Sequence, residues 1–295
     1  MPISLILSAL LAAQPAPAAT ATTEPESQDI VVEGTRATKR QLRDFVKTVT
    51  ATPLMGQVAR FHAAACPVAI GLPSAQNAAL GERMRRVAAG AGMRVGGPDC
   101  TPNIFVILAP DRKEMVDALQ RRYPVYFRDV PAEQLRAIAS SREPVVAWQV
   151  QSRLSADGEL LERPADAGYY RVNTSSNPSR VRAASMPTFV ASMLVIDVDA
   201  AKGLTVTQLA DYAVMRTFAS TDPERIVRTG VPTILSAIGA PEDRPIPVTL
   251  THWDFGFLKG LYSSDNAYFA GYQRGDIEAK LRKELEQAAA EDGEN

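Results

Sequence analysis

LVIDVDAAKGLTVTQLADYAVMRTFAS, residues Leu194 to Ser220, reads as a buried strand, a glycine turn and a capped central helix. Leu194, Val195, Ile196 and Val198 form an apolar, mostly β-branched run, and Asp197 and Asp199, two apart, are expected on one strand face. Lys202-Gly203 turns the chain. Thr205-Val206-Thr207-Gln208 fits a capping box, so a helix is predicted to begin near Val206. Val206, Leu209, Ala210, Ala213, Val214 and Phe218 then fall at core spacing, and Tyr212 with Met215 widens the apolar arc, so the helix is expected to be buried on most sides. Gln208, Asp211 and Tyr212, at i, i+3 and i+4, share one face and form a candidate polar cluster, either a core network or a ligand site.

Working outward, the 295 residues are 46% hydrophobic and 22% charged with a formal net charge of -1, an ordinary globular composition. No basic run with interleaved aromatics is present, so nucleic acid is not an expected partner. The apolar Ile3 to Ala13, followed by Ala16-Pro17-Ala18, resembles a secretory signal with an A-x-A cleavage pattern, although no Lys or Arg precedes it. It falls short of the roughly 20 residues needed to span a bilayer, so the mature chain is expected to carry no transmembrane segment. The predicted organisation is a signal over residues 1–18, a flexible leader over 19–37, one globular domain over 38–275, and a surface helix with an acidic tail over 276–295. Export to the periplasm or beyond follows.

Within the leader, Asp29-Ile30-Val31-Val32-Glu33-Gly34-Thr35-Arg36 resembles the D-I-V-V-x-G-T-R stretch of TonB-dependent outer-membrane receptors over those eight residues. The chain is too short and too helical for their barrel. The segment Ile30 to Arg36 is either a strand-forming linker or an extended peptide that adds to the sheet edge of an envelope partner.

Downstream, Thr38 to Val49 is a predicted helix with Leu42, Phe45, Val46 and Val49 on one side. Cys66 to Leu72 as strand, a helix from Ser74 to about Gly90 and Asn103 to Leu108 as strand form a β-α-β unit, which implies parallel neighbours. Cys66 and Cys100 then precede their strands at one sheet edge and, in an exported chain, read as a disulfide. A thiol nucleophile assisted by His62 is the functional alternative. Asp111 to Glu114 offers a second capping box and Pro131 a helix start. Arg83, Arg85, Arg86, Arg121 and Arg122 read as a solvated face or, less simply, an anion-binding surface. The strand Val145 to Val150 leads to a polar excursion, Ser155 to Ser179, read as a substrate loop or, from Tyr170 to Asn173, as a β-hairpin. Thr251 to Asp254 is a third capping box, placing Trp253, Phe257, Leu258, Leu261 and Tyr262 inward. Ile277, Leu281 and Leu285 give the last helix a narrow seam. The fold class expected is α/β (α+β): a mixed sheet with an N-terminal β-α-β unit, a buried central helix and covering helices.

His62 and His252 are far apart and stand in no H-x-x-x-H or H-x-H arrangement, and no G-x-S-x-G, Walker or G-x-G-x-x-G motif occurs. A histidine-rich zinc site is therefore not expected. No metal or cofactor is assigned, Asp197 and Asp199 being the weak option for a hard cation.

Pro102-Asn103-Ile104-Phe105-Val106-Ile107, Gly203-Leu204-Thr205 and Thr251 to Tyr262 together resemble a bacterial group of uncharacterised exported proteins similar to zincin-type metallopeptidases. The resemblance covers most of Cys66 to Ser263. Where such peptidases carry H-E-x-x-H, this chain has Gln208-Leu209-Ala210-Asp211-Tyr212, without imidazole or glutamate. It implies a peptidase-like scaffold lacking zinc chemistry. Two functional classes remain: a non-catalytic binding or structural domain with Gln208, Asp211 and Tyr212 as binding residues, and a metal-independent envelope hydrolase using Asp211, Tyr212 and His252.

Overall fold

The computed structural model describes residues 37–50, 56–128, 130–164, 169–175, 177–239 and 245–291. The expected signal and the Ile30 to Arg36 segment lie outside the described residues. In chain order the elements are α1 (Lys39–Val49), β1 (Arg60–Phe61), β2 (Pro67–Ile70), α2 (Ser74–Gly90), β3 (Ile104–Ala109), α3 (Arg112–Arg122), α4 (Ala132–Ser140), β4 (Val145–Ser155), β5 (Ser185–Asp197), α5 (Val206–Thr217), α6 (Pro223–Val227), α7 (His252–Ser263) and α8 (Ala270–Glu291). The protein is a mixed α/β fold.

The sheet is organised on β5. β3 runs parallel to its C-terminal half and β1 to its N-terminal half, while β4 lies antiparallel along the other edge. β2 completes the sheet, parallel to β3. The period of two in β5 separates the layers: Leu194 and Ile196 enter the core with α1, α2, α5, α7 and α8, whereas Met193 and Val195 pack under α3 and α4 with Ile107 and Trp148. Trp148 is fully buried and its Nε1 donates to the Tyr126 carbonyl at 2.9 Å.

The β-α-β unit is parallel as read from the sequence, and Cys66 and Cys100 form a disulfide with a Cα–Cα distance of 6.0 Å. No thiol remains there for nucleophilic chemistry. Gly71 ends β2 at φ +100°, and a Cβ at this position would lie 1.9 Å from the Leu108 carbonyl oxygen, so the turn admits no side chain.

Three boundary details differ from the sequence reading. β5 stops at Asp197 and the chain enters a 3-10 turn, Val198–Ala201, so Asp197 and Asp199 do not share a strand face. Asp197 instead accepts from the Arg112 backbone N–H at the start of α3, and Asp199 pairs with Lys202. Tyr170 to Asn173 form no strand. The last helix begins at Ala270 rather than beyond residue 275, and Ile277 and Leu281 are fully buried. They reach the core because Gly256 and Gly260 open the facing side of α7. Added Cβ atoms there would meet Leu281 Cδ1 at 2.7 Å and the Ile277 carbonyl oxygen at 3.0 Å.

Candidate functional site

α5 begins as its capping box dictates. Thr205 accepts from the Gln208 backbone N–H, and the Gln208 side chain accepts from the Thr205 backbone N–H at 3.0 Å. The residues from Leu209 to Thr217 are then all buried, because the helix lies between the sheet, α2 and the segment entering α7. Gln208 Nε2 donates to the Pro247 carbonyl at 3.0 Å. Asp211, with no exposed surface, receives Arg83 in bidentate fashion, Nε to Oδ1 at 2.8 Å and Nη2 to Oδ2 at 2.9 Å. It also accepts from Thr249 Oγ1 at 2.6 Å and the Leu250 backbone N–H at 2.9 Å. Two of the three expected cluster members thus bind one neighbouring segment, 247–250, and seal it against α5.

Tyr212 turns elsewhere. It lines a cleft of about 770 Å³ to which neither Asp211 nor His252 contributes. One wall is α4, with Gln134, Ala137 and Ile138; the other is formed by Tyr212 and Arg216 of α5 and Val227 of α6. Between them runs the start of β4, Val145 to Ala147. The Asp197 backbone N–H donates to the Pro144 carbonyl at 2.8 Å, which marks these two as a closely bonded antiparallel pair. Alternation along the ladder then directs the N–H and C=O groups of Val145, Ala147 and Gln149 outward. Among the described residues these three make no backbone hydrogen bond outside the β4–β5 ladder. The cleft is therefore an open sheet edge flanked by helices, with the hydrogen-bonding groups of Val145 and Ala147 along it.

Arg216 is the buried charge of this cleft. Its residue is 8% exposed, its Nη1 donates to the Thr221 carbonyl at 3.0 Å, and its Nε has no hydrogen-bond partner among the described residues. Burial pulls its affinity for a proton down, with Tyr212 and Asp222 opposing that only in part. Gln149 holds the helix beside the strand by donating to the Arg216 carbonyl at 3.0 Å. Neither Arg216 nor Gln149 was singled out in the sequence. The available signal was a lone guanidinium four residues after Tyr212, directly following the apolar run Ala213-Val214-Met215.

The histidines lie apart from this cleft. His62 Nδ1 is 3.2 Å from Thr188 Oγ1 and its Nε2 is 3.4 Å from Asn266 Nδ2. Burial, reinforced by Arg60, pushes its pKa down to about 4, so the ring is neutral at pH 7. His252 is the first residue of α7. Two positions on, Asp254 is pushed up to about 6 by burial, offset by hydrogen bonds from Ile234, Thr233 and Thr251. Its carboxylate closes the capping box of α7 and ties down the Thr233 turn. Among the described residues no group of three or more His, Cys, Asp or Glu side chains is placed to hold a metal ion. No protein-family model, curated protein or solved structure matches the chain significantly.

Proposed function

We propose that the protein is an exported, non-catalytic peptide-binding domain whose ligand adds a strand to β4 in the cleft between α4 and α5. The observation that carries this reading is the outward edge of Val145 and Ala147, two residues of unpaired backbone between helical walls. Such an edge offers main-chain hydrogen bonds to any extended chain, and the walls supply side-chain contacts. The disulfide is compatible with an oxidising compartment, and no described helix is long and apolar enough to cross a membrane. On this reading the scaffold is peptidase-like, with Gln208 committed to a cap and Tyr212 to the cleft wall where a peptidase would hold its imidazoles.

The test is direct. Ala147→Pro removes an outward N–H without removing a ladder bond to β5. Fluorescence polarisation with the end-blocked peptide acetyl-Thr-Thr-Val-Glu-Val-Thr-Thr-amide should show binding to the native protein and its loss in the variant, while thermal unfolding stays cooperative. Amide exchange in the native protein should slow at Val145 and Ala147 on adding peptide. Unchanged exchange at both residues would exclude strand addition, whatever the fate of the proline variant.

A further inference from the structure

We infer that the peptide side chain facing α5 is an acid, and that Arg216 is the group that selects it. This rests on the strand-addition reading and specifies its ligand: one Glu or Asp, flanked by apolar residues.

The argument begins from cost. A guanidinium nine-tenths buried, with its Nε unpartnered and no carboxylate in ion-pair contact among the described residues, is an expensive arrangement for a fold to keep. The chain already shows the inexpensive alternative, because Arg83, nearly buried on the same side of the sheet, is matched by the carboxylate of Asp211. Among the described residues no carboxylate lies in ion-pair contact with Arg216, and exposed Asp222 acts on it only from farther away. It lies on the wall of the cleft, where a ligand carboxylate would supply the missing counter-charge and accept the free N–H.

The position also fixes which part of a ligand reaches it. Gln149 ties the Arg216 backbone alongside β4, so the guanidinium stands beside the edge rather than at the end of it. On an added strand, alternate side chains point to opposite faces. Those on one face meet Tyr212 and Arg216; those on the other meet Ala137 and Ile138 of α4. The matching pattern is apolar, acidic, apolar, with the carboxylate on a side chain and not at the peptide terminus.

The remaining charges of the cleft argue for a single acid. Glu143, Asp222 and Glu224 also line it, but they are exposed at the rim. Asp222 accepts from the Arg225 backbone N–H as the cap of α6, and Glu224 pairs with Arg228. These exposed acids are screened by salt and would oppose a polyacidic segment without cancelling the contact at Arg216.

The experiment compares three probes on the full chain by fluorescence polarisation: acetyl-Thr-Thr-Val-Glu-Val-Thr-Thr-amide, the same peptide with Gln at the centre, and the Gln peptide with a free C-terminal carboxylate. The Glu peptide should bind at least about tenfold more tightly than the Gln peptide. Arg216→Met should erase that ratio, bringing the Glu and Gln peptides to equal affinity, and Arg216→Lys should restore part of it. Equal affinity for Glu and Gln, with Val145 and Ala147 still protected from exchange, overturns the acid assignment and leaves strand addition standing. Preference for the free carboxyl terminus overturns the side-chain assignment. Absence of binding by all three probes, with no protection at the edge, overturns both.

Discussion

Arg83 of α2 and Asp211 of α5 form a two-pronged ion pair with Nε–Oδ1 and Nη2–Oδ2 distances of 2.8 and 2.9 Å, and Thr249 bridges both partners. Asp211 is fully buried and the Arg83 side chain is 11% exposed. One carboxylate therefore joins two helices and the segment that enters α7.

Removing that carboxylate strands a nearly buried cation and two further donors, the Thr249 hydroxyl and the Leu250 backbone N–H. Asp211→Ala is expected to lower stability by about 3–5 kcal/mol in urea denaturation. The double change Arg83→Met with Asp211→Leu should lose far less than the sum of the single changes, since an apolar pair leaves no uncompensated charge. Additive losses would mean the two residues act independently.

The Cys66–Cys100 bridge closes a loop with a sequence separation of 34, which in the chain-entropy model is worth about 3–4 kcal/mol. Reduction, or paired replacement by Ser, should lower the urea midpoint and raise the slope somewhat, because the unlinked denatured chain is less compact. A midpoint insensitive to reductant would place the stabilisation elsewhere.

His62 sets an acid-side dependence. Its folded pKa of about 4 lies below the ordinary 6.5, so between these values the unfolded chain binds a proton that the folded chain refuses. Stability from this group is complete above pH 6.5 and is lost as pH falls towards 4. Asp254 has the opposite sign: raised from 3.8 to about 6, it favours the folded state at low pH and loses that contribution as pH rises between those values. The two partly cancel in the native protein. They separate in a comparison with His62→Gln, where the stability advantage of the native chain should shrink steadily from pH 6.5 to 4.5. A constant difference would rule out this linkage.

The α7–α8 contact discriminates between two glycines. A Cβ on Gly260 meets the Ile277 backbone, its carbonyl oxygen at 3.0 Å and Cα at 3.1 Å, whereas the nearest obstacle to one on Gly256 is a Leu281 methyl at 2.7 Å. A methyl group can rotate aside and a helix backbone cannot. Gly260→Ala should cost about 1–3 kcal/mol by thermal denaturation, and Gly256→Ala less.

Much of the framework was legible because its signals are local. The capping boxes expected at Thr205, Asp111 and Thr251 each join residues three apart; the first and last form in full, and Asp111 makes one half of its box by accepting from the Glu114 backbone N–H. The alternation in β5 follows from the pleat alone. Asp197 and Asp199 misled for the same reason: period-two spacing implies a shared face only while the strand lasts, and a 3-10 turn starts between them. Arg83 looked like one more solvated helical arginine because its partner is 128 residues away.

What the sequence determined by itself, then, was the elements and their faces: the buried central helix, the parallel β-α-β unit, the disulfide pairing and the lack of a histidine metal motif. These depend on side-chain periodicity and on groups within a few residues of each other. The tertiary structure alone decided that Gln208 and Asp211 part company with Tyr212 and that, among the described residues, Arg216 has no carboxylate in ion-pair contact and the start of β4 has no strand on its outer edge between two helical walls. Each of those depends on which distant segment arrives beside a residue, and burial makes a charge or a backbone donor consequential only once water has been displaced from around it.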